Sequence, residues 1–135
     1  MSSPALVRGD LVWHTFSDRN QLAAALAERV ASTLVKACTA RGRASVAFSG
    51  GSTPKPLFEA LQSQEVPWQD VVTTLVDERW VDTQHELSNQ QFLDQHLLSH
   101  LNPQPVFVPL YHPVASPQAA FDTIESDYAS ALAKK

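Results

Sequence analysis

The sequence has 135 residues, 44% hydrophobic and 18% charged, which is the size of one ordinary domain. A chain this long buries somewhat under ~70% of its unfolded surface, enough for an apolar core without disulfides or a structural metal. Ten Lys and Arg against fourteen Asp and Glu give a formal net charge of -4, the wrong balance for a generic nucleic-acid binder.

The one cysteine, Cys38, excludes a disulfide framework and the four-ligand Cys/His zinc patterns, so a reducing compartment and no metal are expected. Apolar runs such as Leu22 to Ala27 fall far short of the ~20 residues of a bilayer span. Met1 to Arg8 lacks a basic start followed by an apolar segment. The reading is a cytoplasmic protein that engages neither membrane nor nucleic acid.

Leu11 to Phe16, β-branched and aromatic, reads as a first strand, and Ser17 offers its hydroxyl as N-cap of a long helix. Along that helix Leu22, Leu26, Val30, Leu34 and Cys38 recur every fourth residue beside Ala23, Ala27, Ala31 and Val35. They predict a wide apolar stripe in which Cys38 packs. Arg41-Gly42-Arg43 ends the helix, with cations near the negative dipole end and glycine available for the left-handed cap. Ala44 to Phe48 is a short apolar run, expected as a buried parallel strand.

Pro54 to Gln62 reads as a helix with Thr53 as its cap and Pro54 in its first position, where no backbone donor is needed. Val71 to Val76 is the third strand, followed by a polar loop from Asp77 to Leu87. Ser88 caps a helix from Asn89 to Leu98, closed by Asn102-Pro103. Val106 to Leu110 is a fourth strand, and Ser116-Pro117 opens a last helix with Phe121, Ile124, Tyr128 and Leu132 on one face. Strands alternating with helices imply right-handed βαβ units. The expected fold is α/β, a three-layer αβα arrangement around a mostly parallel sheet.

Binding sites in such sheets form beyond the carboxyl ends of the strands. Two loops satisfy that requirement and are expected to face one crevice. Ser49-Gly50-Gly51-Ser52-Thr53-Pro54 leaves the second strand, lets backbone approach a ligand and ends at a helix N-terminus, so it suits a phosphate or oxyanion. It has the spacing of neither a Walker A loop nor a dinucleotide fingerprint, and it is equally readable as a tight strand-to-helix turn. Asp77-Glu78-Arg79 leaves the third strand, where the Arg79 guanidinium offers a planar fork for a phosphate or carboxylate. A neighbouring carboxylate could orient that fork or act as acid or base. Taken alone, such clusters are usually solvated or mutually paired, worth ~0–1 kcal/mol, and Ser88-Asn89 is more often a cap than a ligand contact.

The segment Val46 to Leu98 carries Ser49-Gly50-Gly51-Ser52-Thr53-Pro54, Trp68, Val71, Asp77-Glu78-Arg79-Trp80-Val81, Ser88-Asn89 and Leu97-Leu98 in order. This set resembles the amino-terminal half of the 6-phosphogluconolactonase family, within the glucosamine- and galactosamine-6-phosphate isomerase-like group. The resemblance implies the sugar-phosphate isomerase-like fold and hydrolysis of 6-phospho-D-glucono-1,5-lactone to 6-phosphogluconate in the oxidative pentose phosphate pathway. Under it, Ser49, Gly50, Gly51, Ser52, Thr53 and Asn89 would line the sugar-phosphate site. Arg79 would bind substrate anion or the developing oxyanion, and Asp77 would shape the site. No cofactor is implied, and the partner is a small sugar phosphate.

The family's later half carries a Gly-rich segment ending in an Asp-Gly-His-Thr-like motif whose His is its general base. No glycine follows Gly51 here, so that base has no counterpart. Residues 1–135 are therefore expected to form one α/β domain that is the N-terminal part of a longer lactonase domain, inactive or feeble alone and prone to self-association through exposed sheet edge. Among the five His, only His85 lies near the rim, and it reads as solvent-exposed with nothing nearby to fix its tautomer. The rival readings are an isomerase or glucosamine-6-phosphate deaminase, with Asp77 as base, and a non-catalytic sugar-phosphate-binding module.

Overall fold

The structure, a computed structural model, describes residues 6–133. Most of the Met1 to Arg8 segment considered above lies outside the described residues. The chain opens with a hairpin: β1 (Leu6–Arg8) pairs antiparallel with β2 (Leu11–Trp13), and Gly9, at φ 60°, supplies the left-handed residue of its tight turn. This corrects the expected first strand. Leu11, Val12 and Trp13 are all exposed and belong to a separate two-stranded sheet, because their partner is the segment just upstream rather than the buried sheet.

The main sheet is parallel, with order β3 (Ala44–Phe48), β4 (Val71–Leu75), β5 (Val106–Phe107). Ala44 stands opposite Val71, Phe48 opposite Leu75, and Val72 opposite Val106. β4 lies at the centre and is buried along its whole length, which is why its sequence does not alternate. Its two buried hydroxyls are partnered: Thr73 Oγ1 donates to Val106 O at 3.0 Å and Thr74 Oγ1 to Val108 O at 2.7 Å. These bonds tie down the last strand, which ends at Phe107 rather than at the expected Leu110.

α1 (Arg19–Arg41) is capped by Asp18, whose carboxylate accepts from Gln21 N at 2.8 Å. Ser17 is not the cap; its hydroxyl donates to the Gln21 side chain at 2.6 Å. Gly42, at φ 80°, closes the helix as expected. The buried line is Ala23, Ala27, Ala31 and Leu34, and the larger Leu22 and Leu26 stay 45% and 42% exposed. The expected stripe is thus rotated: small side chains let α1 come close to α2 and β3, and the leucines are displaced to the flank. Cys38 does pack against the core, half-buried.

α2 (Lys55–Leu61) begins after Pro54 and has no side-chain cap, so Thr53 does not play the expected role. Its first turn is closed by backbone bonds, Lys55 N to Ser52 O and Phe58 N to Pro54 O. Phe58 and Leu61 are fully buried, and the Phe58 ring meets Phe48 edge-on at 5.6 Å and Phe92 at 6.2 Å. A 3-10 turn (Trp68–Asp70) buries Trp68 just before β4. α3 (Asn89–His96) is capped by Ser88, which accepts from Gln91 N. It stops short of the expected Leu98, where a 3-10 turn (Leu98–His100) takes over and turns Leu97, Leu98 and Leu101 into the core.

α4 (Pro117–Ala133) starts as expected, with Ser116 Oγ accepting from Ala119 N at 3.2 Å. Its buried residue is Ala120; Phe121, expected on the inner face, is 63% exposed. Asp127, Ser130 and Ala131 share a hollow with Val72, Val106 and Val108, which places α4 beside the β4–β5 half of the sheet. β3 pairs only with β4 among the described residues, leaving Ser45 and Ala47 exposed on that edge strand. No described helix is long and apolar enough to cross a membrane.

Candidate functional site

The loops after β3 and β4 meet at one residue, Asn89, the first of α3. Asn89 is buried, and each end of its side chain has a partner of the correct type. Oδ1 accepts from Arg79 Nη1 at 3.2 Å, and Nδ2 donates to Asp77 O at 3.2 Å and to Asp77 Oδ1 at 3.4 Å. A guanidinium can only donate and a carbonyl only accept, so the amide has one sensible orientation. Gly50 lies against the same side chain: a Cβ built there would overlap Asn89 Cγ and Oδ1 and stand 2.6 Å from Asn89 Cβ. Gly50 is therefore glycine for close approach. Gly51 serves conformation instead, with φ 88° and open space where its Cβ would be.

Arg79 is held at one nitrogen, since Nη1 also donates to Leu87 O at 3.2 Å. Among the described residues its Nε and Nη2 make no hydrogen bond, so that edge of the fork remains available to an anion. The adjacent Trp80 donates Nε1–H to Val114 O at 3.1 Å and packs edge-on against Tyr111 at 4.9 Å. These contacts pin the segment after Arg79 to the loop after β5.

Among the expected site residues, Gly50, Asp77, Arg79 and Asn89 are brought together directly. Ser49 and Thr53 join Gly50 on a hollow of about 490 Å³ whose other walls include Arg19, Leu22, Leu26 and Leu57, and which Arg79 does not line. Ser52 lines an adjoining depression with Asp18, Arg19, Lys55 and Pro56, of which Arg19 and Pro56 also line the hollow. Gly50 is thus common to the Asn89 junction and to the hollow that Ser49 and Thr53 line. Arg19 is a neighbour that the sequence alone does not signal, whereas Glu78 belongs to the charged loop already singled out. Arg19 Nη2 reaches Thr53 O at 3.5 Å, a contact across 34 positions that no local pattern signals.

His85 is exposed, as expected, but its tautomer is fixed after all. Leu87 N donates to His85 Nδ1 at 3.0 Å, so a neutral ring carries its proton on Nε2. The lone pair that a base would use is already engaged. Elsewhere, His100 Nε2 lies 2.9 Å from Gln95 O, the His96 ring packs at a tilt against Phe92, and His112 Nε2 stands 3.9 Å from Asp127 Oδ2. Among the described residues no group of three or more His, Cys, Asp or Glu could hold a metal ion.

The fold is the three-layer α/β fold of the sugar-phosphate isomerase-like proteins, as its solved neighbours show. A solved 6-phosphogluconolactonase from Shewanella baltica superposes with a TM-score of 0.81 at 36% identity, covering 84% of this chain and 49% of that one. The family model for glucosamine-6-phosphate isomerases/6-phosphogluconolactonase matches residues 17–135, and the chain belongs to that family. Curated 6-phosphogluconolactonases of Mesorhizobium japonicum and Rhizobium meliloti are 46% and 43% identical over 100 and 107 residues. Those matches cover 74% and 79% of this chain but 42% and 46% of the relatives, so the chain spans about half the length of the curated relatives it matches.

Proposed function

We propose that this chain forms the anion-holding half of a 6-phosphogluconolactonase site and is the N-terminal part of a longer lactonase domain. The observation that carries the reading is the junction at Asn89, which fixes Arg79 by one nitrogen, leaves the other edge of its fork free, and requires glycine at position 50. Support for the substrate class comes from the identity to proteins named 6-phosphogluconolactonase. The lactone is an activated ester, so its hydrolysis needs a water, a base of near-neutral pKa and donors for the tetrahedral oxyanion.

In this chain Arg79 would supply the donors, Asn89 and Asp77 would hold the geometry, and the Ser49–Thr53 loop would flank the sugar phosphate. One oxyanion donor is typically worth ~10²–10³-fold and a positioned base ~10²–10⁴-fold. His85, the His nearest Arg79 in the sequence, spends its Nδ1 lone pair on Leu87 N. The expected behaviour is binding of 6-phosphogluconate without lactone hydrolysis at an enzymatic rate.

Titration calorimetry of 6-phosphogluconate with this chain and its Arg79→Ala variant tests the reading. Loss of roughly tenfold or more in affinity is expected, the scale of a charge-assisted contact. Equal affinity in the variant would remove Arg79 from the site. A normal turnover of lactone by residues 1–135 would place the base within them.

A further inference from the structure

Glu78 carries no role in the reading above, yet its carboxylate is the most fully engaged acceptor of the loop. Oε1 accepts from Arg79 N at 2.9 Å and from Asn89 N at 2.7 Å, and Oε2 accepts from Gln90 N at 2.9 Å. One oxygen therefore ties together the backbone of the residue that carries the guanidinium and the backbone of the residue whose side chain holds it. With Ser88 Oγ accepting from Gln91 N, the first three N–H groups of α3 are all satisfied from within the chain. That helix end is spent on the loop and is closed to a ligand.

We infer that Glu78 is the positioning residue for Arg79: it splices the loop after β4 onto the first turn of α3, so that Arg79 and Asn89 meet in register. Its oxygens face three N–H donors, an environment built for an acceptor and unsuited to shuttling a proton. The charge also sits at the positive end of α3, where a carboxylate is favoured. Of the two roles open to the carboxylate beside Arg79, orienting the fork is the one this geometry performs. The consequence for ligand binding rests on the lactonase reading; the positioning itself does not.

The test is nitrogen NMR on this chain in wild type, Glu78→Gln and Glu78→Ala, followed by titration with 6-phosphogluconate. Three signals are read: amide exchange at Asn89 and Gln90, motion of the Arg79 Nε–H bond, and the Kd. Glu78→Ala is expected to speed both amides by about tenfold or more, to loosen Arg79 Nε–H, and to raise the Kd by about tenfold. Glu78→Gln keeps one carbonyl acceptor, so it should restore part of each effect. It also decides the matter if Glu78→Ala does not fold, which protection of the Val108 amide on Thr73 O reports. Faster amide exchange with Arg79 motion and Kd unchanged would reduce Glu78 to a helix cap and overturn the inference. Failure of wild type to bind 6-phosphogluconate would instead count against the lactonase reading, and Arg79 motion in the variants would still decide for or against positioning.

Discussion

Gly50→Ala is the substitution whose outcome the site geometry fixes most tightly. The new methyl would overlap Asn89 Cγ and Oδ1 and lie 2.6 Å from Asn89 Cβ, so relief requires the whole Asn89 residue to retreat. Overpacking of this kind costs about 1–3 kcal/mol. A retreat also breaks the Asn89 side-chain bonds to Arg79 and Asp77, worth about 1 kcal/mol each. The lower unfolded-state entropy of alanine returns at most about 1 kcal/mol. The expected net destabilisation is about 2–4 kcal/mol, read by urea unfolding.

The origin of that loss is separable by a double-mutant cycle. Because Asn89 Cβ is itself too close, Asn89→Ala cannot relieve the clash and Asn89→Gly can. Gly50→Ala should cost at least about 1 kcal/mol less in the Asn89→Gly background than in wild type. Gly51→Ala is the control: its Cβ meets nothing, its φ of 88° costs about 1–2 kcal/mol, and that cost should be additive with Asn89→Gly. Additivity for Gly50→Ala, within about 0.3 kcal/mol, would refute the close-approach account.

Other outcomes follow from single contacts. Ser88→Ala removes the α3 cap and should lose about 1 kcal/mol in urea unfolding, whereas Thr53→Ala, which removes no cap bond, should lose less than half of that. Phe58→Ala empties a fully buried position between Phe48 and Phe92 and should cost about 3–5 kcal/mol by the same measurement. Burial, and then the Asp70 carboxylate, push the Cys38 thiol above its ordinary value, with Arg41 opposing. A folded-state pKa above the unfolded one leaves Cys38's contribution intact below the unfolded value and removes it as pH rises through the folded value. Stability should therefore fall in the alkaline range in wild type and fall less in Cys38→Ala, with iodoacetamide reacting more slowly at Cys38 than at a free thiol.

Local chemistry made much of this molecule readable. Gly42 closes α1, Ser88 caps α3, and Val71 to Leu75 is a strand, because each depends on a residue's own backbone preference or on a short run rich in β-branched residues. Competing local acceptors are harder to rank: Asp18 takes the cap expected of Ser17, one residue away, and both are good N-caps. The hairpin has no local signature in the sequence: β2 pairs with residues upstream and leaves Leu11, Val12 and Trp13 exposed, so its apolar run mimics a buried strand.

What residue order alone determined was the succession of strands and helices, the two loops at the sheet's carboxyl edge, and the kinds of side chain they carry. These follow from periodicity, capping and turn chemistry, which act over a few positions. Only the folded chain decided which face of α1 is covered and that Asn89 joins Gly50 to Asp77 and Arg79. Those are contacts between segments 10 to 39 positions apart, set by how closely helices and strands can pack, and no spacing along the chain encodes them.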